Sequence, residues 1–150
     1  MATHAVVRQS LRVEVALERA MRQFTPVGER AWVGERWKPF FPGGEEGDGD
    51  VPGTVFLTEH QGETTYWVVV ERSEDVVRYA RVTPGVWAGT VEVRCEPTGG
   101  FATTAEVTYE LTALSEAGEV ELAHFVDRYE DEIASWARLI ADAIAAGRAL

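Results

Sequence analysis

The sequence predicts an α+β fold in which a curved antiparallel sheet of about six strands wraps around one long C-terminal helix. Three observations carry this. Residues 6–15, and five further segments between 54 and 114, alternate apolar and polar side chains or run apolar, with short turns between them. The tail from Glu119 onward repeats bulky apolar residues every three or four positions, a helix of about 28 residues and roughly 40 Å. A sheet with one apolar face and a helix with one apolar stripe each need a partner, and the chain offers them only each other.

The elements follow in order. Val7, Gln9, Leu11 and Val13 fall on one side of a first strand and Arg8, Ser10, Arg12 and Glu14 on the other, the period of two that buries one face. From Ala16 the period changes: Leu17, Met21 and Phe24 are spaced like one face of a short helix. Thr25-Pro26 restarts the chain with a hydroxyl at a cap position and Pro at the first helical residue. A second short helix over 29–33 then ends at Gly34. Residues 35–53 read as a loop. Its prolines, Pro39, Pro42 and Pro52, surround a run of glycine and acid at 43–50 that cannot pack a core, which predicts a mobile surface excursion.

Five strands are expected over 54–60, 64–71, 76–83, 86–96 and 101–114. Their short Gly-, Pro- and Asp-containing connections imply a meander of antiparallel neighbours. In the last strand Ala105, Val107, Tyr109, Leu111 and Ala113 share one face. On the tail helix Leu122, Val126, Tyr129, Ile133, Trp136, Ile140 and Ile144 form the stripe, with Asp127, Asp131, Arg138 and Asp142 opposite. No repeat or linker divides the chain, so one domain over 1–150 is expected.

Composition removes several functions. A net charge of −11 argues against nucleic acid, whose phosphates are bound by clustered Lys and Arg, and against an anionic membrane surface. Cys95 is the sole cysteine, so neither an internal disulfide nor a thiolate metal cluster can form, as suits a reducing cytoplasm. The N-terminus lacks the basic-then-apolar order of a signal peptide. No apolar run approaches the roughly 20 residues of a membrane span. A cytoplasmic protein without membrane insertion is expected.

The order strand, two short helices, five strands, long helix resembles the helix-grip plan of the START-related superfamily (SRPBCC: polyketide cyclases, lipid-transfer domains and plant-allergen-like proteins). Local text adds to the match. Thr25-Pro26-Val27-Gly28-Glu29-Arg30-Ala31-Trp32 and Trp37-Lys38-Pro39 are similar to the stretch after the first helix of bacterial members. Gly53-Thr54-Val55-Phe56-Leu57-Thr58, Tyr79-Ala80-Arg81-Val82-Thr83-Pro84-Gly85 and Val107-Thr108-Tyr109-Glu110-Leu111-Thr112-Ala113 resemble their second, fourth and last strands. The resemblance spans nearly the whole chain. It is one of fold, and with no invariant catalytic motif it carries over no catalytic residue. It implies a cavity between sheet and helix that holds a lipid, sterol, polyketide or other aromatic molecule.

With the apolar side of each strand taken as inward, the polar exceptions are Gln9, Thr58, His60, Tyr66, Tyr79, Arg81 and Tyr109, with Tyr129 arriving from the helix. The candidate ligand-binding set is Arg81, Tyr79, Tyr109, Tyr66, Phe56, Trp87, Tyr129, Trp136 and Gln9. Arg81 is either a bidentate clamp for an anionic head group or a residue near the cavity mouth paired with Glu132 or another helix acid. The second is favoured, because arginine is rarely buried without a partner. The tyrosines either present hydroxyls to a ligand carbonyl or serve as core rings. Phe24, Trp37, Phe40 and Phe41 either lid the cavity or seal the core beside the short helices.

His4, His60 and His124 have no metal-binding spacing, so no metal or cofactor is expected, and His60 reads as a strand-end histidine in solvent. Asp48-Gly49-Asp50 lacks the remaining ligands of a calcium loop. Cys95 reads as a small buried hydrophobe.

Three functions remain. The first is binding or transport of a small apolar or aromatic molecule. The second is a polyketide cyclase or aromatase-like enzyme in which Arg81, Tyr79 or His60 polarises carbonyls or moves protons. The third is an interaction module resembling activators of heat-shock-protein ATPases. An outer-face patch such as Leu57 with Trp67 would support the third, or a homodimer.

Overall fold

The computed structural model of the protein describes residues 3–150. Six strands, β1 (His4–Val13), β2 (Val55–His60), β3 (Glu63–Arg72), β4 (Val76–Thr83), β5 (Trp87–Pro97) and β6 (Thr103–Ala113), form one sheet. Its order is β1-β6-β5-β4-β3-β2, with every neighbouring pair antiparallel. The last five strands make the expected meander, and the first strand closes on the last (Gln9 opposite Val107). Helices α1 (Leu17–Arg22) and α2 (Arg30–Val33) carry the chain from β1 at one edge toward β2 at the other, and α3 (Glu116–Ala145) covers the concave face.

Each element is legible in its residues. The inner row of β6 (Ala105, Val107, Leu111) is sealed against α3, as are Leu122, Ile133 and Ile140 of the helix. α3 begins three residues earlier than the apolar stripe suggests, because Ser115 caps it: its Oγ accepts from the Gly118 N–H (3.0 Å) and donates to the Gly85 carbonyl (2.6 Å). Gly118 itself is obligatory by space. A Cβ there would lie 2.0 Å from the Val86 carbonyl oxygen, so the helix start rests directly on the β4–β5 turn. Val126, expected in the stripe, is 39% exposed. Phe125 turns inward in its place, packing edge-on against Trp87 and Tyr109.

The acidic loop differs from the mobile excursion expected. Asp48 accepts two hydrogen bonds from Arg22 (2.8 and 3.1 Å), Asp50 pairs with Arg72 (2.6 Å), and Glu45 pairs with Arg30 (2.7 Å). The Val27 N–H also donates to the Asp48 carbonyl (3.1 Å). Acid that cannot enter a core here meets arginines of α1, α2 and β3, so its charge anchors the loop. Farther along the chain, Phe40 bridges to Leu57 at the β2 edge.

One asymmetry creates the site. α3 packs on β1, β6 and α2, with no comparable approach to β2, β3 or β4. Because the sheet curves, the inner face of those three strands stands away from the helix. The space between is roofed by α2 and the residues on either side of it.

Candidate functional site

That space is a cavity of about 260 Å³. Its aromatic wall is built by the inward residues of successive strands. Phe56 of β2 stacks on Trp67 of β3, with centroids 5.5 Å apart and planes 6° from parallel. Tyr79 of β4 stands edge-on to both, and Trp37 edge-on to both from the other side. Phe24 and Trp136 complete the wall. The indoles are pinned by their N–H groups: Trp67 donates to Thr58 Oγ1 (3.0 Å) and Trp37 to the Pro26 carbonyl (2.8 Å). At the mouth stand the exposed Arg36, Glu59, His60 and Glu132, and Arg36 reaches Glu132 at 3.9 Å. An adjoining groove of about 350 Å³ shares Arg36, His60, Tyr109, Glu132 and Trp136 with the cavity and runs along α3.

The polar groups inside are few and unusual. Arg81 projects inward from β4 with its guanidinium carbon 4.5 Å from the Trp67 ring centroid and 5.7 Å from that of Trp87. Its one protein hydrogen bond among the described residues is long, from Nη2 to Thr83 Oγ1 (3.5 Å), and its Nε is buried without a partner. Thr83 is in turn bonded to Thr65 (2.6 Å). Burial pulls the Arg81 pKa down.

Glu29, in the turn before α2, is the second such group. Burial alone pushes its carboxyl up to about 8, which favours the protonated form at neutral pH. Gly28 makes the placement possible, since a Cβ there would lie 1.7 Å from the Arg22 carbonyl oxygen. Glu29 and Arg81 are both partly accessible and both line the cavity. Burial also raises both phenols. Tyr109 moves up to about 12, with Arg81 pulling it back, and Tyr79 moves well above the ordinary tyrosine value. Both phenols stay protonated, and the Tyr79 hydroxyl donates a hydrogen bond to the Phe24 carbonyl (2.7 Å).

The structure brings five of the nine candidate residues to this cavity: Phe56, Tyr79, Arg81, Tyr109 and Trp136. The other four lie elsewhere. Tyr66 points outward and is 43% exposed, because the inward row of β3 is Thr65, Trp67 and Val69. A hydroxyl pair between Thr65 and Thr83 supplies the buried polarity that made the other face look inward. Trp87 lies behind Arg81, against Phe125, outside the cavity wall. Tyr129 bounds the adjoining groove, its hydroxyl spent on the Val107 carbonyl (2.6 Å). Gln9 is on the inner row of β1 but under α3, away from the space.

The expected pairing of Arg81 with Glu132 is replaced by Arg36–Glu132. The expected outer patch of Leu57 with Trp67 is also corrected: Trp67 faces in, and Leu57 lies opposite Tyr66. Phe24 and Trp37 line the cavity, Phe41 packs on Phe56, and Phe40 is 64% exposed. Glu29 was missed. A glutamate in a turn looks like solvated charge, and its one signal was its place between Gly28 and the apolar Ala31-Trp32. Among the described residues no group of three metal-ligating side chains converges, and no helix is long and apolar enough to cross a membrane.

No family model and no characterised protein matches the sequence itself. Solved structures do match the fold. Norcoclaurine synthase from Thalictrum flavum superposes with a TM-score of 0.66 at 13% identity, covering 94% of this chain and 93% of that one. An aromatase/cyclase from a Streptomyces species gives 0.64 at 16%, covering 93% of each chain. An uncharacterised protein from Rhizobium leguminosarum gives 0.62 at 13%, covering 93% and 95%. The chain therefore has the helix-grip fold expected from its element order. At these identities the likeness speaks to the fold alone.

Proposed function

We propose that the protein binds a small aromatic or apolar molecule of one to two rings in the cavity between the sheet and α3. The observation that carries this is the cavity: about 260 Å³, with an aromatic wall of Phe24, Trp37, Phe56, Trp67, Tyr79 and Trp136 and polar groups from Glu29, Thr58, Thr65 and Arg81. A dry cavity of about 150 Å³ already takes a benzene, so this one suits a fused two-ring compound. A larger ligand would have to project past Arg36 and Glu132. The test is native mass spectrometry of protein purified under mild conditions and after addition of 2-naphthol. Wild type should retain a one-to-one adduct that disappears on denaturation. Val91→Phe, which places a ring inside the wall, should not. A wild-type protein that carries no adduct up to the solubility limit of the naphthol sinks the reading.

A second reading, proton transfer on a bound carbonyl compound, is favoured by the presence of Glu29 and Arg81 in one cavity, with the Tyr109 phenol in the field of both. As pH approaches about 8 and Glu29 ionises, its carboxylate would take a proton from the carbon beside the carbonyl, and Arg81 would hold the developing enolate oxygen. Deuterium uptake by 2-acetylnaphthalene in heavy water, followed by NMR, checks it. Protein-dependent exchange that vanishes in Glu29→Gln supports the reading, and exchange no faster than in buffer removes it.

A further inference from the structure

The charge inside the cavity is not balanced. A guanidinium has five N–H donors and does not lose its proton in proteins, yet among the described residues the Arg81 side chain makes one long hydrogen bond to a threonine and has no carboxylate partner. Three buried side-chain polar atoms lack a partner among the described residues. Two of them, Arg81 Nε and Trp87 Nε1, belong to side chains in mutual contact, the Trp87 ring being 5.7 Å from the guanidinium carbon. Both are donors sealed from solvent, so the fold gives neither an acceptor, and only the guanidinium's remaining N–H groups are left to face the cavity that Arg81 lines. The nearby acids do not supply an acceptor. Burial shifts Glu29 toward its neutral form, and Glu132 and Glu59 stand exposed at the mouth. A buried cation left unpaired costs several kcal/mol, and the nearby indole rings of Trp67 and Trp87 offset only part of that.

We infer that the cavity takes its aromatic ligand as a monoanion, a carboxylate attached directly to the ring system, with the carboxylate on the open edge of the Arg81 guanidinium and the rings against Phe56 and Trp67. The inference rests on the binding reading above and narrows it to one ligand class. The Trp67 and Trp87 rings lie 4.5 and 5.7 Å from the guanidinium carbon, and a planar carboxylate matches a guanidinium edge with two parallel hydrogen bonds.

The experiment compares 2-naphthoate with 2-naphthamide, which has the same rings and nearly the same shape without the charge. Binding is titrated by calorimetry against wild type, Arg81→Met and Arg81→Lys, each checked for fold by circular dichroism. Wild type is expected to bind the naphthoate about tenfold or more tightly than the amide, as a charged hydrogen-bonded pair warrants. Arg81→Met should abolish that preference while leaving naphthamide affinity within about threefold. Arg81→Lys, which keeps the charge and loses the fork, should fall between them and decides the matter if the methionine variant fails to fold. Equal binding of both probes to wild type, or a preference that survives Arg81→Met, overturns the inference and leaves the aromatic cavity standing. Failure of both probes to bind wild type overturns the binding reading and this inference with it.

Discussion

A carboxyl buried without a cation makes a prediction about stability that needs no ligand. Glu29 is held at about 8 in the fold against an ordinary value of 4.5. The folded state therefore binds its proton more tightly than the unfolded chain does. The fold is at full strength with respect to Glu29 below about pH 4.5 and weakens as pH rises from there to about 8, where both states are ionised. In the middle of that window the slope approaches 1.36 kcal/mol per pH unit, so the full effect between pH 5 and 7.5 is about 3 kcal/mol. Glu29 keeps part of its surface accessible, and solvent screening there reduces the expected effect to about 2 kcal/mol.

Glu29→Gln keeps the shape and removes the titration. Urea unfolding of both proteins at several pH values between 5 and 7.5 isolates the effect, because every other titrating group cancels in the difference. The glutamine variant should gain about 2–3 kcal/mol on wild type between the two ends of that range. A difference that stays constant to within about 0.5 kcal/mol would mean that Glu29 is ionised and solvated in the fold, and the argument for a neutral acid in the cavity would fall with it.

The remaining predictions test the geometry around this group. Tyr79→Phe, which deletes the hydroxyl bonded to Phe24, should cost about 1 kcal/mol or more in urea unfolding, whereas Tyr66→Ala on the outer face should stay within about 0.5 kcal/mol; the reverse order would mean that β3 and β4 show their other faces. Gly118→Ala forces a methyl against the Val86 carbonyl and should destabilise the protein by about 1–3 kcal/mol, read in the same assay. Naphthoate affinity should fall as pH rises through about 8, because ionised Glu29 then cancels the charge of Arg81. Tyr79 of β4 and Tyr109 of β6 titrate higher, and the same titration on Glu29→Gln, with Arg36, Glu59, His60 and Glu132 unchanged at the mouth, should be flat.

Much of the fold was legible because its signals are local and repetitive. The alternation of β6 and the stripe of α3 each give one answer about which side is buried. Legibility failed where two faces carried similar residues. On β3 the inward row holds Thr65 and Trp67 and the outward row Tyr66 and Val68, and no period separates an apolar face exposed on a sheet from one sealed inside. The acidic loop failed for a different reason. Whether Asp48 and Asp50 are solvated or paired depends on Arg22 and Arg72, which lie 26 and 22 residues away and meet them only through the fold. Arg81 was singled out because charge on an inward face is rare. Its lack of a carboxylate was not visible, because Glu132 stands on the correct face of α3 and is taken by Arg36.

Arg81 and Glu29 are both costly to the fold, and the costs are of kinds that simple substitutions remove. Methionine would fill the volume of Arg81 without a charge, and glutamine would replace Glu29 without a titration. If the domain were shaped by stability alone, such groups should be scattered and each should have found a partner, as Arg22, Arg30 and Arg72 have with the acids of the loop. Instead the unpaired cation and the neutralised acid line one cavity, beside aromatic rings whose edges and N–H groups are fixed by hydrogen bonds. A group that is unfavourable in the empty fold becomes favourable when a ligand supplies what it lacks. For Arg81 the missing element is an anion. A neutral carboxyl such as Glu29 lacks only an acceptor for its proton, which a carboxylate or a carbonyl oxygen provides. Both deficits would be met by the planar, oxygen-bearing aromatic molecule proposed above. That coincidence, more than the volume of the cavity, argues that it was built to be occupied.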